Sequence, residues 1–344
     1  ALPDGKPFAT ACAAPADVDG DGDVDLFVGM RLIPGHYGQS PTSFILENDG
    51  NALFTPNLQK YPALQQLGMV TDALWTDLNG DQLPDLVTCG DWEPVRVFFN
   101  KNGTLEAGSE KAGLKDTEGW WNCLQAADLD GDGDTDFVLG NEGLNSRFKA
   151  SANRPLELYA GDFDQNGQDE AILCQYNGDT SFPLVLRGDL AKRLPVIKKR
   201  FLKYADYAGK TMSELFEPSV LGGAIVRKTR VLASCLLLNQ GNGQFKVQPL
   251  PPEAQRAPVH AIAIRDFTGD GKPDILLAGN DERRKPEGGA QLGSRGVLLV
   301  QKNDRTFEAA LQACKLQGVI RALAICGNRL WLGRNNGRLE VLAF

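Results

Sequence analysis

The sequence predicts an all-β fold, and three observations carry this prediction. An acidic nine-residue segment recurs five times along the chain of 344 residues. Each copy stands between two short apolar runs, as a loop between two strands does. Turns rich in Asn, Asp and Gly separate further apolar runs. A unit that returns in this way, with copies of unequal length, is typical of a repeat protein.

The first acidic segment, residues 17–25, has the composition of a metal-binding loop. Its crowded carboxylates would repel one another in a bare loop, whereas Gly20 and Gly22 allow a tight backbone. Side-chain oxygens at alternate positions, with one backbone carbonyl, suit a hard cation such as calcium. The EF-hand loop opens in the same way but ends on a glutamate where this chain has Val28. The EF-hand is therefore excluded.

The other four acidic segments follow the same pattern. They span residues 77–85, 128–136, 162–170 and 266–274, and each is followed by an apolar run that ends in Gly or Cys. A single segment of this kind is compatible with a solvated turn. Five in the same context favour a repeated metal-binding loop.

The second repeat illustrates how each repeat divides into four strands. Residues 70–76 enter the acidic loop, and residues 86–89 leave it. Residues 95–99 alternate in polarity, a turn follows at residues 100–103, and residues 104–107 form the outer strand. Four antiparallel strands per repeat predict a β-propeller with one blade per repeat.

The spacing of the loops predicts the number of blades. The fourth and fifth loops begin at residues 162 and 266, 104 residues apart, which leaves room for a blade without an acidic loop. Its outer hairpin would lie at residues 231–247, and residues 320–342 would supply another such blade. We therefore expect a single domain, residues 1–344, with seven four-stranded blades. Six or eight blades remain open alternatives.

One stretch departs from the strand pattern. Residues 189–216 carry apolar side chains near helical spacing, and Thr211 with Glu214 forms the pattern of a capping box. We expect two short helices here, inserted around a blade. The basic residues at 198–203 are either a solvated helix face or a site for an acidic ligand.

The charge and composition exclude several classes of partner. A formal net charge of −8 argues against nucleic acid or an anionic membrane as the main partner. Five divalent ions would bring that charge from −8 to +2, so the acidity is best explained by metal loops. No apolar run is long enough to span a membrane. The seven cysteines include no pair at zinc-finger or redox spacing.

The loops and the short apolar strands after them resemble the FG-GAP/VCBS repeats of integrin α-chain propellers. The wider sequence is similar to bacterial VCBS-repeat proteins of the ASPIC/UnbV-associated group at residues 119–122, 140–147 and 204–209. The resemblance covers nearly the whole chain. It is specific for the fold and the metal but not for the function, because such propellers serve in adhesion, binding and scaffolding.

The resemblance assigns calcium to the five loops, about five structural ions in all. The implied ligands are Asp17, Asp19, Asp21, Asp23 and Asp25; Asp77, Asn79, Asp81, Leu83 and Asp85; Asp128, Asp130, Asp132, Asp134 and Asp136; Asp162, Asp164, Asn166, Gln168 and Glu170; and Asp266, Thr268, Asp270, Lys272 and Asp274. Three loops depart from the ideal, at Asn79, at Asn166 with Glu170, and at Thr268. Lower ligand charge weakens binding, so we expect the first and third loops to bind most tightly.

The face opposite the metal loops is the expected ligand site. If the loops join first and second strands, the long connections at residues 30–42, 91–94, 141–152 and 280–295 lie on the other face. Aromatic rings beside Asn, Asp and Arg are typical of a sugar or peptide site. The candidate ligand-binding residues are Trp92, Trp120, Trp121, Asn141, Arg147 and Asp281. The alternative is that Trp120 and Trp121 pack between blades and the loops only cap the channel.

These features predict a non-enzymatic, calcium-stabilised module that binds a glycan or a protein, in adhesion or as a scaffold. Millimolar calcium suits the loops, so we expect it in the periplasm, at the cell surface or secreted. The chain has no nucleophile elbow, HExxH motif or P-loop, and no catalytic residue is assigned. The alternative is a polysaccharide hydrolase or lyase with a carboxylate pair such as Asp91 and Glu142 on the same face.

The first residues bear on whether the sequence belongs to a longer protein. The first residues include neither an initiator Met nor a signal peptide. We therefore expect a monomer or part of a longer, processed chain, without insertion into a membrane.

Overall fold

The computed structural model describes residues 9–282, 289–302, 306–310 and 315–343. These residues form an all-β fold with six antiparallel sheets and a few short helices. The predicted fold class is confirmed at this level. Among the described residues, no helix has both the length and the apolar character needed to cross a bilayer.

The first two sheets follow the chain strand by strand. The first contains β1 (Ala9–Ala16), β2 (Asp25–Leu32), β3 (Phe44–Asn48) and β4 (Phe54–Pro56). The second contains β5 (Met69–Thr76), β6 (Asp85–Glu93), β7 (Arg96–Asn100) and β8 (Leu105–Ala107), and β9 (Gly119–Trp120) pairs with the end of β6. A 3-10 turn, Pro62–Leu64, precedes β5.

The third sheet is interrupted in sequence by a complete four-stranded sheet, which lies between its second and third strands. It begins with β10 (Cys123–Ala127) and β11 (Asp136–Gly140). An inserted sheet follows, made of β12 (Leu156–Gly161), β13 (Glu170–Asn177), β14 (Thr180–Pro183) and β15 (Ile225–Thr229) in the order β14-β13-β12-β15. The third sheet is then completed by β16 (Cys235–Asn239) and β17 (Phe245–Pro249).

Five short helices connect β14 to β15 within the insertion. They are α1 (Arg187–Arg193), α2 (Pro195–Arg200), α3 (Tyr204–Tyr207), α4 (Met212–Leu215) and α5 (Pro218–Leu221). Their apolar side chains pack on β13, where Ile172 and Cys174 are buried together with Leu190 and Ile197. The helical character predicted for residues 189–216 is present, with more and shorter helices than the two expected.

The last two sheets return to the order of the chain. A 3-10 turn, Pro252–Gln255, leads into β18 (Val259–Arg265), β19 (Asp274–Gly279), β20 (Val297–Gln301) and β21 (Phe307–Ala309). The final sheet contains β22 (Ile320–Cys326), β23 (Arg329–Arg334) and β24 (Glu340–Ala343).

The described sheets number six rather than the seven expected, and the difference lies in the insertion. The hairpin at residues 231–247 does not form a blade of its own, because Cys235 pairs with Leu139 and Leu237 pairs with Phe137 of β11. The sequence showed no sign that these strands, about a hundred residues apart, belong to one sheet.

The core lies between successive sheets, which pack face to face. On β6, Leu86 faces the first sheet and Val87 faces the third, as alternation along a strand requires. Because both faces of β6 are covered, every residue of this strand is buried. The first strands of five sheets, β1, β5, β10, β18 and β22, are neighbours in that order.

Glycines at or near the ends of two second strands, Gly90 in β6 and Gly279 in β19, are explained by close backbone contacts. A side chain at Gly90 would collide with the carbonyl of Met69, and one at Gly279 would collide with the carbonyl of Pro258. Only glycine permits the first strand to approach so closely at this end of the sheet.

Candidate functional site

The five acidic loops all join two paired strands and share one hydrogen-bonding pattern. In the first loop, Asp17 accepts hydrogen bonds from the backbone N–H groups of Gly20, at 2.8 Å, and Gly22, at 3.1 Å. Both glycines have positive φ, of 78° and 95°. Equivalent bonds are accepted by Asp77, Asp128, Asp162 and Asp266. The first aspartate therefore organises each loop around itself.

Three of the loops bring carboxylates together as a cation would require. Ligand atoms within each of three groups lie within 4.8 Å of one another: Asp17, Asp19 and Asp25; Asp128, Asp130 and Asp136; Asp162, Asp164 and Glu170. In the second and fifth loops, Asn79 and Thr268 stand where the others have a carboxylate. All-oxygen donor sets suit calcium better than zinc.

A buried polar atom also fits a cation in the fourth loop. Within the described part of the chain, Asp164 Oδ1 is inaccessible to solvent and has no hydrogen-bond partner. An unsatisfied buried carboxylate oxygen is costly, and a bound cation would remove that cost. The residues present therefore fit calcium.

The acid that ends each loop has a structural role that the sequence analysis missed. Asp136 accepts a hydrogen bond from the backbone N–H of Leu129, at 2.9 Å, and another from Asn239, at 2.7 Å. The first bond closes the loop, and the second fixes the end of the third strand. The same pair of bonds is made by Asp25, Asp85 and Asp274. Burial raises the pKa of Asp85 and of Asp136 to about 6, against the effect of their backbone hydrogen bonds.

Amide side chains at the ends of third strands connect one sheet to the next. Asn100 Nδ2 donates to the carbonyl of Val18 in the preceding acidic loop, at 2.7 Å. Gln301 Nε2 donates in the same way to the carbonyl of Leu129. A polar residue at the end of an otherwise apolar strand was the signal for this contact in the sequence.

A cavity of about 810 Å³ lies at the strand ends remote from the first, second, third and fifth acidic loops, and Glu170 of the fourth acidic loop also lines it. One wall comes from the ends of β2 and β6, where Arg31, Asp91 and Trp92 lie. The opposite wall comes from the insertion, through Ile172 of β13 and Leu190 of α1. The cavity is therefore formed jointly by the series of five sheets and by the sheet inserted into it.

Aromatic side chains form a connected row along this cavity. The ring of Trp120 is edge-on to Trp92, with centroids 5.0 Å apart, and edge-on to Phe148, with centroids 4.9 Å apart. Trp92 Nε1 donates to the hydroxyl of Tyr37, at 2.9 Å. Trp92 also has a φ of 65°, which bulky residues rarely adopt. Such strain is common where a fold positions a functional side chain.

The carboxylates of the cavity have protein partners. Asp91 pairs with Arg31, at 2.9 Å, and Asp281 lies 3.8 Å from Arg321. Glu142 Oε1 accepts a hydrogen bond from Gln291, at 3.0 Å. Burial raises the pKa of Asp91, and the Arg31 guanidinium partly offsets this effect.

The candidate ligand-binding residues divide into two groups. Trp92, Trp120, Arg147 and Asp281 line the cavity, although Trp92 is only 2% exposed. Trp121 is fully buried between the second and third sheets, and its Nε1 donates to the carbonyl of Thr117. Asn141 is also fully buried, with its Nδ2 bonded to the carbonyl of Val231. Trp121 and Asn141 therefore support the structure and do not reach the cavity.

The insertion is fixed over the cavity by polar contacts that the sequence did not indicate. Arg227 of β15 donates to Glu93, at 2.5 Å, to Ser40 and to the carbonyl of Gly38. His36 lies 2.8 Å from Asp169 of the fourth acidic loop. Both contacts join segments that are far apart in the chain.

Comparison with known families identifies one segment of this chain. The sequence model of the FG-GAP-like repeat matches residues 77–139, which contain the second and third acidic loops. The predicted resemblance to FG-GAP repeats is therefore confirmed for this segment. The narrower resemblance to ASPIC/UnbV-associated proteins is not tested by this match and stays a prediction. No curated protein matches this chain.

Two solved structures are similar to this chain at low identity. The first is the V. cholerae biofilm matrix protein Bap1, with 15% identity and a TM-score of 0.35, over 88% of this chain and 39% of Bap1. The second is a chain of the complex of BBS1N with ARL6DN, with 11% identity and a TM-score of 0.24, over 98% of this chain and 93% of that chain. This chain thus spans about two fifths of the length of Bap1.

Proposed function

We propose that this protein is a non-enzymatic, calcium-stabilised β-propeller that acts outside the cytoplasm and binds a glycan or protein ligand in adhesion or as a scaffold. The observation that carries the proposal is the cavity of about 810 Å³, lined by Trp120, Arg147 and Asp281. It lies opposite the first, second, third and fifth acidic loops, so the strands that flank those loops would hold structural ions at one end and a ligand at the other, while Glu170 of the fourth loop borders the cavity.

A propeller-like order of the sheets supports this proposal. The first strands β1, β5, β10, β18 and β22 are neighbours in sequence order, as the inner strands of successive blades are. The inserted sheet stands outside this series and contacts it through β15, which lies against β6 and β9. Each blade of the series then supplies one edge of the cavity wall.

The state of the carboxylates favours binding over hydrolysis. Asp91 is held by Arg31, and Glu142 by Gln291. A glycosidase needs one carboxyl group to give up a proton and another to attack or to activate water. Carboxylates already engaged with a guanidinium or an amide are better suited to hold cavity side chains in place.

The alternative is a hydrolase or lyase that acts on a polysaccharide. It is favoured by one observation, that Asp91 and Glu142 both line the same cavity. Incubation with a panel of polysaccharides, followed by assays for new reducing ends and for unsaturated sugars, tests it. Product formation that Asp91→Asn and Glu142→Gln both abolish would establish the enzyme and overturn the binding module.

Two measurements test the proposed function. Calorimetric titration of calcium into chelator-stripped protein is expected to show about five sites, the first and third loops binding most tightly because their ligand charge is highest. A glycan array probed with the calcium-loaded protein is expected to give saturable binding. Binding of one ion or none would remove the calcium role. Failure of glycans, proteins and matrix extracts alike to bind would remove the ligand role.

A further inference from the structure

Two arginines at the cavity differ from its other charged groups. The carboxylates there have partners on the protein, namely Asp91, Glu142, Glu170, Asp189 and Asp281. Arg147 and Arg193 also line the cavity, and within the described residues neither guanidinium makes an ion pair or a hydrogen bond. Arg147 and Arg193 are therefore the guanidinium groups of this cavity that a ligand can engage without displacing a protein partner.

Arg147 stands at the end of the aromatic row. Its Cζ lies 5.7 Å from the centroid of Phe148, whose ring is edge-on to Trp120. Both rings are only partly buried and line the cavity. A cation and two aromatic surfaces are therefore presented side by side, with Trp92 packed behind Trp120.

Arg193 lines the same cavity. It is the last residue of α1, in the insertion, whereas Arg147 lies in the connection between β11 and β12. The two guanidinium groups thus approach the cavity from separate segments of the chain. A ligand with more than one acidic group can be held at both.

We propose that the ligand is an anionic saccharide, with its acidic groups bound by Arg147 and Arg193 and a sugar ring against Trp120 and Phe148. This inference rests on the proposed function and names its ligand class. A guanidinium presents paired N–H donors that match a carboxylate or a sulfate ester. Apolar faces of sugar rings pack on aromatic side chains in largely apolar cavities of this size.

The net charge of the calcium-loaded protein is small. Five divalent ions would bring the formal charge from −8 to +2, so the loaded protein has no large excess of positive charge to attract polyanions in general. Binding then depends on these two arginines and not on a general basic surface. The affinity is expected to fall with added salt, because charge-assisted contacts are screened.

The experiment compares three hexasaccharides of similar size, using the tryptophan fluorescence of the calcium-loaded protein. The probes are a galacturonic acid hexamer, a sulfated galactan hexamer and a neutral galactan hexamer. The variants are Arg147→Gln and Arg193→Gln, and the matched control is Arg154→Gln. Arg154 lies in the same connection as Arg147 but pairs with Asp179 and does not line the cavity.

We expect at least one acidic hexamer to bind tenfold or more tightly than the neutral one. Each cavity variant should lose about tenfold in affinity for it and Arg154→Gln should lose none, since one guanidinium contact corresponds to roughly a tenfold change. Comparison of the galacturonic acid hexamer with the sulfated galactan hexamer shows whether the site prefers a carboxylate or a sulfate ester. Equal binding of the neutral hexamer, unaffected by Arg147→Gln, overturns the anionic ligand and leaves glycan binding standing. Absence of binding for all three probes and for the glycan array overturns the anionic saccharide and any other glycan ligand, and leaves only a protein ligand for the proposed function.

Discussion

The buried acid at the end of each acidic loop has a role that is independent of any metal. In the third loop, the two oxygens of Asp136 accept backbone hydrogen bonds from Leu129 and Asn239, which belong to the loop and to the third strand. From its position and residue type alone, Asp136 was expected only to bind the metal ion. The contacts indicate that this carboxylate also fixes strand pairing before an ion binds.

Replacing this acid should therefore destabilise the protein even in chelator. Asp136→Ala leaves two buried N–H groups unsatisfied, and we expect it to lower the free energy of unfolding by about 3 kcal/mol. Asp134→Ala is the control, because no described donor bonds to its side chain. That change should cost less than about 0.5 kcal/mol. Urea unfolding in EDTA measures both, and similar losses for the two variants would contradict the assigned role.

The role of a single residue could be predicted from the sequence where its contacts are local, and not where they join distant parts of the chain. The pattern from Asp128 to Asp136 is local, so the sequence was sufficient to predict its loop. Trp120 and Trp121 are adjacent and chemically alike, yet one lines the cavity and the other is fully buried. Their difference depends on β9 pairing with β6, and no local pattern encodes that pairing.

The inserted sheet acts as an element that completes the cavity. It is held to the rest of the protein by Arg227, which joins Glu93, Ser40 and Gly38. Glu93 is only 4% exposed, so its pairing with Arg227 lies away from water. Ion pairs of this kind are costly to break from one side, because the remaining charge stays buried.

Removal of that arginine should loosen the insertion more than the rest of the molecule. We expect Arg227→Ala to cost about 3 kcal/mol and to speed hydrogen exchange in β12–β15 more than in β1 and β2. Arg154→Ala, which removes an exposed pair on the same sheet, should change stability by less than about 1 kcal/mol. Uniform exchange across all six sheets in Arg227→Ala would show that the insertion is not a separate unit.

The sequence could identify strands but not their membership in sheets. The two runs in residues 231–247, separated by a turn rich in Asn and Gly, correctly indicated a hairpin, and the assignment of this hairpin to a blade of its own was wrong. The pairing of β11 with β16 is a long-range contact. The partner of a strand is usually a strand next to it in the sequence. An insertion between paired strands breaks that rule without altering any local pattern.

At the scale of the whole molecule, the acidic loops concentrate the negative charge of the chain in five short segments. The formal charge of −8 would reach +2 with five divalent ions. The loops are closed in part by their own backbone hydrogen bonds, so the apo protein should remain folded but less stable. Calcium adds stability by binding only the folded state.

Chelation should therefore lower the melting temperature by many degrees. Three filled loops at a hundredfold excess over Kd contribute about 8 kcal/mol, which corresponds to on the order of 15 °C for a chain of this size. Calorimetric melts in calcium and in EDTA measure the shift, and re-addition of calcium should restore it. Magnesium serves as the control cation, since it fits a flexible loop of this kind less well. An unchanged melt in EDTA would contradict structural calcium sites.

The insertion also sets an order of assembly during synthesis. Strand β11 ends at Gly140 and its partner β16 begins at Cys235, with residues 141–234 between them. At translation rates of about 5–20 residues per second, the half-made third sheet waits roughly 5 to 20 seconds for its partner strand. If the insertion folds first, it brings the two ends together and shortens the search that β16 must make. The inserted sheet, which forms part of the cavity wall, would then also hold β11 and β16 close together while the third sheet forms.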